Sequence, residues 1–352
     1  MKKYKITTLT PIFIQGDNSK NLSIFTDFIL SDNFINIIDK RDLENIFTEN
    51  EHLLNIYMKE VEKGTNLQDF FKKNKIDIEK IRIIKSIPYD KEHFSGNEIL
   101  TFVSVNGKPY IPGSSLKGAI RTTFFKFLED TLNTTVSEIT YERRVNFNNI
   151  EKRLFPKIEK KDLFSFLSIS DSNPFKSTDL FIKSVKSVNI FNQRHEEGIP
   201  INIECIKENS TTEFSIDIKR VSNMKNNKIL LNAETLYEAI NHFSKIQIVK
   251  ELEKLPKENL FLETRNFYES ILKEIENNEN KKIFIRIGKY TGILSKTILN
   301  LLDQNVRINF IKNNFKNFKE NNEKFFPKSR LKYYIGEKER FDFGWIVMEE
   351  IK

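Results

Sequence analysis

The chain opens on an alternation. Residues 3–14, KYKITTLTPIFI, place β-branched or aromatic side chains between polar ones and end at a Gln15-Gly16-Asp17 turn, which predicts a first strand. A second strand is predicted over 31–38, SDNFINII. Between about 42 and 75 the period changes: Leu43, Ile46, Phe47, Leu53, Leu54, Tyr57 and Val61 recur at helical spacing, which predicts two helices broken near Gly64. Strand character returns at 99–111 around Asn106-Gly107, a pair suited to a tight hairpin. After it a Gly/Ser loop opens a helix with Leu116, Ile120, Phe124 and Phe127 on one face.

Residues 163–171 predict a further apolar strand ending in Ser170-Asp171-Ser172, and strand-like segments follow around 179–191, 199–206 and 212–218. The pattern then turns helical. Leu236, Ala239, Ile240 and Phe243 share one face, and a second run over 258–277 carries Leu262, Phe267, Ile271 and Ile275. A strand, IFIRI at 283–287, leads into Gly288-Lys-Tyr-Thr-Gly292 and a helix start near Leu294, so the strand, glycine loop and helix arrangement occurs twice. The chain closes on a predicted hairpin over 331–350, with its turn near Gly336 and Trp345 in its second strand. These elements predict an α+β fold of two domains, 1–210 with a helical insertion and 211–352.

Charge narrows the functional field. Lys and Arg number 57 against 49 Asp and Glu, a formal net charge of +8, and an excess of clustered cations favours an anionic partner. The one cysteine, Cys205, excludes an internal disulfide and a cysteine-built zinc site, in keeping with a reducing cytoplasm. The start, MKKYKITT, has no apolar signal segment, and nowhere do eighteen apolar residues run together; a cytoplasmic chain without a membrane partner is expected.

A glycine-rich turn feeding a helix start presents N–H groups and the positive helix end, which suits phosphate. In the first loop Gly113 permits close backbone approach, Ser114 and Ser115 offer hydroxyls, and Lys117 and Arg121 add charge four residues apart. Arg286, Lys289 and Lys296 surround Gly288 and Gly292 in the second loop, with Tyr290 a candidate for stacking on a base. A plain turn with a serine N-cap is the structural alternative for the first loop. Neither loop is a Walker motif, since Lys117 precedes Gly118, and neither is a GxGxxG fingerprint, so no cofactor is expected. His52, His93, His195 and His242 show no paired spacing, and the acids are dispersed, so neither a catalytic residue nor a metal ligand is assigned. His195, in a polar loop, is the best candidate base, and Asp171 is expected to accept backbone N–H bonds in the turn that follows it.

At this point the residues resemble a known family. Tyr110-Ile-Pro-Gly-Ser-Ser-Leu-Lys-Gly-Ala-Ile-Arg-Thr122 is similar to the signature loop and helix of the RAMP superfamily of CRISPR RNA-binding proteins. Thr8-Leu-Thr-Pro-Ile-Phe-Ile-Gln-Gly16 resembles the family's opening strand, and Phe284 to Thr297 resembles its C-terminal glycine-rich loop. With Ser170-Asp171 and Phe343-Gly344-Trp345 added, the likeness is greatest to the fifth subunits of type III-A (Csm) effectors. It implies two ferredoxin-like, RRM-related RAMP modules with inserted helices, and a non-catalytic subunit that caps the crRNA 3′ end and supports its maturation. Its implied partners are crRNA, neighbouring Csm backbone subunits and host ribonucleases. Phe13 stands where the family commonly has histidine, and Tyr290 interrupts a glycine run, so no His-dependent cleavage is implied there. Two alternatives stay open: a RAMP endoribonuclease using His195 on repeat RNA, and a protein–protein adaptor whose basic surface is incidental.

Overall fold

The computed structural model describes residues 1–17, 21–132, 157–158, 161–190, 198–219, 231–257, 259–277, 281–297, 299, 304–315, 326–335 and 339–351. Two sheets carry the architecture. The first has five strands in the order Leu167–Ile169, Thr211–Ile218, Lys2–Thr8, Trp345–Glu350, Ile283–Arg286, antiparallel at every pairing. The second has six, in the order Glu339–Phe341, Ser329–Ile335, Leu180–Asn189, Ile201–Ile206, Glu98–Leu100, Leu22–Ser23. Helices Gly113–Leu132 and Ala233–Lys254 pack on each other and on the first sheet.

The alternation read from the sequence explains the central strand. Tyr4, Ile6 and Thr8 point inward from Lys2–Thr8 while Lys3 and Lys5 stay exposed. The same core takes Leu116, Ile120 and Phe124 from the first long helix and Ile182 and Ile203 from the second sheet, so both sheets share one apolar interior. A division of the chain at 210 runs between strands that hydrogen-bond in both sheets, because Lys2–Thr8 pairs with Thr211–Ile218 and Leu180–Asn189 with Ser329–Ile335.

The expected pair of helices between 42 and 75 is three: Lys40–Glu49, Glu51–Glu62 and Leu67–Lys73. The unforeseen break is at Asn50, whose side chain accepts from the Leu53 amide at 3.1 Å and caps the second helix. Gly64, with φ +84°, follows that helix as expected. Together with strands Phe28–Leu30, Phe34–Ile38 and Ile83–Pro88, these helices enclose a separate small core that includes Phe47, Tyr57, Phe70 and Phe71.

The closing hairpin differs more. Ser329–Ile335 pairs with Glu339–Phe341 in the second sheet, but the chain then crosses at Asp342-Phe343-Gly344, and Trp345–Glu350 joins the first sheet beside Lys2–Thr8. The expected turn at Gly336 lies outside the described residues. The crossing is a buried polar junction. Asp342 is 1% exposed, its carboxylate stands 2.8 Å from Lys332 Nζ and 3.3 Å from an Arg286 terminal nitrogen, and Tyr268 Oη donates to it at 2.5 Å. Burial pushes the Asp342 carboxyl up, but the Lys332 and Arg286 charges outweigh it and hold the group well below the usual carboxylate range. Among the described residues no helix is long and apolar enough to cross a membrane.

Removing this carboxylate strands two cations in the interior. Asp342→Ala is expected to lower unfolding free energy by about 3–5 kcal/mol, read as a fall in the denaturant midpoint. Because the folded-state pKa is depressed, the junction's contribution is present above the unfolded carboxylate value near ~3.9 and is lost as pH falls further, so the wild type loses more stability on acidification than the variant.

Candidate nucleic-acid interface

The first glycine loop is fastened to the end of the Leu167–Ile169 strand. Gly113 begins the long helix, and its N–H donates to Asp171 Oδ1 at 2.7 Å. Ile111 and Ser172 exchange two bonds beside it, at 2.9 Å each. A Cβ on Gly113 would lie 2.3 Å from the Ile169 carbonyl oxygen, so the close approach expected at this glycine is to the protein's own backbone. Asp171 thus caps the start of a remote helix rather than serving its own turn.

The second loop docks on the end of the first strand. Gly288 has φ +87°, and a Cβ there would lie 2.4 Å from the Phe13 carbonyl oxygen, which accepts the Lys289 amide at 2.6 Å. Tyr290, also at positive φ, is buried with its ring stacked on Phe13, centroids 5.6 Å apart and planes 12° from parallel. Its expected stacking face is therefore occupied from within. Lys289 Nζ donates to Gln15 Oε1, which turns its charge toward the residues that follow Phe13.

These two fastenings bring the loops face to face across a cleft of about 350 Å³. Ser114, Ser115, Gly118 and Thr122 line one wall, while Arg286, Lys289 and Lys296 supply the charge of the other, and no acid is in the lining among the described residues. Lys296 has no hydrogen-bonding partner among the described residues. Although the residue is exposed, the cleft walls partly desolvate its ammonium and, with the neighbouring Lys289 and Arg286 charges, lower its pKa. Asp342 partly neutralises Arg286, but Lys289 and Lys296 stand near each other with no carboxylate among the described residues of the lining, and an anion between them would relieve their repulsion.

The predicted residues separate into two groups. Ser114, Ser115, Arg286, Gly288, Lys289 and Lys296 line the cleft. Gly113, Lys117, Arg121, Tyr290 and Gly292 lie outside the lining. Lys117 Nζ donates to the Leu167 carbonyl at 2.7 Å; Arg121 forks onto Asp162 at 2.9 and 2.7 Å and lies over the Phe164 ring. These two were expected to hold phosphate; in the structure Lys117 ties the helix to the Leu167–Ile169 strand and Arg121 ties it to Asp162 just before that strand. Arg286 is shared, since its Nε donates to the Phe343 carbonyl and its guanidinium meets Asp342. Gln15, Gly118 and Thr122 were missed. A small or hydroxylated residue at every fourth helix position, 114, 118 and 122, is the signal that was there to be read.

No histidine lines the cleft among the described residues; His93 instead pairs with Asp90 at 2.9 Å and stacks on Tyr334. His195 lies outside the described residues. Among the described residues no three His, Cys, Asp or Glu side chains gather as a metal-ligand set.

Three comparisons bear on this arrangement. The RAMP superfamily model matches residues 5–347. A CRISPR system Cms protein Csm5 from Methanocaldococcus jannaschii is 28% identical over 331 residues, covering 86% of this chain and 73% of that protein; one from Streptococcus thermophilus is 35% identical over 130 residues, about a third of each chain. Among solved structures, a chain of the Csm–crRNA–target RNA ternary complex of a type III-A CRISPR-Cas system superposes with a TM-score of 0.73 at 22% identity, covering 99% of this chain and 100% of that one. The crystal structure of T. onnurineus Csm5 gives 0.65 at 18% identity, covering 97% of this chain and 99% of that one.

Gly288→Ala tests the second fastening. The substitution meets both a left-handed backbone and the Phe13 carbonyl, and is expected to cost about 1–3 kcal/mol or more, seen as a lower melting temperature. An unchanged melt would show that the loop does not depend on this contact.

Proposed function

The chain belongs to the RAMP superfamily, and from that premise we propose that it serves as the Csm5-type subunit of a type III-A CRISPR effector, binding the 3′ region of crRNA without cleaving it. The observation that carries this reading is the convergence of two loops some 170 residues apart in sequence on one cleft whose charged lining, among the described residues, is basic. Such a cleft suits a polynucleotide backbone, where each neutralised phosphate releases counterions. The grip differs from the amide cradle expected at Gly113: that N–H already serves Asp171, so lysine side chains are the principal donors to phosphate.

Topology supports the ferredoxin-like part of the proposal. Strand Lys2–Thr8, helix Gly113–Leu132, strands Leu167–Ile169 and Thr211–Ile218, helix Ala233–Lys254 and strand Trp345–Glu350 follow the strand–helix–strand, strand–helix–strand order. In space the fourth strand lies beside the first, the first beside the third and the third beside the second, with Ile283–Arg286 added at the edge. The second sheet is read as the other module, interleaved with the first in sequence rather than following a cut at 210. In this role the chain ends a row of Csm backbone subunits, caps the crRNA and leaves trimming of its 3′ end to host ribonucleases. The non-catalytic part of the reading is supported by the work already assigned to Asp171, which holds a helix start.

The double variant Lys289→Ala/Lys296→Ala tests the reading. Its affinity for single-stranded RNA is expected to fall about tenfold or more at low salt, and the slope of log affinity against log salt to shrink by roughly 1.4, two contacts at ~0.7 each. A titration across salt in which the variant overlays the wild type sinks the proposal. A discrete RNA product formed by the purified chain in EDTA would overturn its non-catalytic part.

A further inference from the structure

The cleft's two walls differ in kind. One carries the lysines; the other, formed by the first turns of the Gly113–Leu132 helix, is uncharged and holds a glycine in the helix interior, Gly118. A glycine there weakens a helix relative to alanine. Nothing in the fold asks for it. Gly118 is exposed, its φ lies outside the left-handed region, and a Cβ built on it meets no atom within 4 Å. Gly113, five residues earlier, is the contrast, since the protein's own backbone fills the place of its side chain. The space left open at Gly118 belongs to the cleft, so the missing side chain makes room for something outside the chain.

The groups around that space indicate what. Ser114 lies one turn before Gly118 and Thr122 one turn after it, with Ser115 alongside. The Ser114 and Ser115 hydroxyls have no hydrogen-bonding partner among the described residues, and Thr122 donates to the Gly118 carbonyl at 3.1 Å, which leaves its oxygen to accept. Among the described residues no aromatic side chain is in the lining, because Tyr290 is turned onto Phe13. A base therefore has no ring to stack on, whereas a sugar has hydroxyl partners on one side and its phosphate has cations on the other.

We propose that Gly118, with the Ser114 and Ser115 hydroxyls, forms a ribose seat that engages the 2′-hydroxyl and so makes the cleft select RNA over DNA independently of base sequence. The inference rests on the RNA-binding reading above and adds to it the part of the nucleotide that is recognised. A 2′-hydroxyl both donates and accepts, which matches the two unpartnered serines, and a deoxyribose leaves them with nothing but water.

The test measures fluorescence anisotropy of the full chain with a labelled, unstructured single-stranded RNA and with DNA of the same sequence. Wild type is expected to prefer RNA. Ser114→Ala/Ser115→Ala should weaken RNA about five- to tenfold, the scale of one or two good hydrogen bonds, while leaving DNA affinity unchanged. Gly118→Leu should abolish binding of both without lowering the melting temperature, since the leucine fills the cleft and favours the helix. Equal wild-type affinity for RNA and DNA, an equal loss for both in the serine variant, or full RNA binding by Gly118→Leu would each overturn the ribose seat. If Lys289→Ala/Lys296→Ala alone leaves RNA binding intact, the RNA-binding reading itself fails.

Discussion

A single buried carboxylate, Asp342, governs how the two sheets of this molecule are joined. It stands where the chain leaves the second sheet for the first, and Lys332, Arg286 and Tyr268 converge on it from different strands and a helix. Charges so far from water are tolerated where they neutralise one another, which makes the junction unforgiving of a missing partner. The geometry radiates outward from there. Gly344 donates to the Pro11 carbonyl and accepts from the Ile287 amide, each at close to hydrogen-bond optimum, 2.9 and 2.8 Å. The strand end, the crossing and the second glycine loop are thereby fixed as one unit, and Arg286 reaches the cleft from inside that unit.

Both glycine loops use the absence of a side chain to bring protein backbone against protein backbone. At Gly113 the neighbour is the strand end at Ile169, and at Gly288 it is Phe13. A contact closer than any Cβ allows leaves the loop little freedom to drift, and that rigidity fixes where the lysines and hydroxyls of the cleft stand. The amides nearest these glycines are largely consumed in the process. The loops act as rigid mounts for side chains, and what they present to the cleft is ammonium and hydroxyl groups.

The Phe13 and Tyr290 stack shows how a departure from a family pattern reads physically. Where the family commonly has histidine, this chain buries a phenyl ring between Tyr290 and Phe102. A titratable group in that apolar stack would be desolvated on both faces; phenyl carries no such cost. The position therefore contributes to holding the second loop down, and the polar work passes to Gln15, two residues after Phe13, and to Lys289, next to Tyr290.

Periodicity by itself determined most of the elements: the inward Tyr4, Ile6 and Thr8 of the first strand, the apolar face of the Gly113 helix and the turn at Asn106-Gly107, both at positive φ, are local consequences of which side chains avoid water and which backbones turn. The two glycine loops were legible for the same reason, as was their basic character. Which charges would line the cleft was not. Lys117 and Lys296 look alike in a string of residues, yet one meets the Leu167 carbonyl and the other meets no partner among the described residues. The split of the final hairpin between two sheets and the conversion of two remote loops into one cleft were likewise decided by tertiary contacts. Pattern records each residue's preference for burial, but a partner's identity depends on what the chain brings back from hundreds of residues away, and that is set only when the whole core closes.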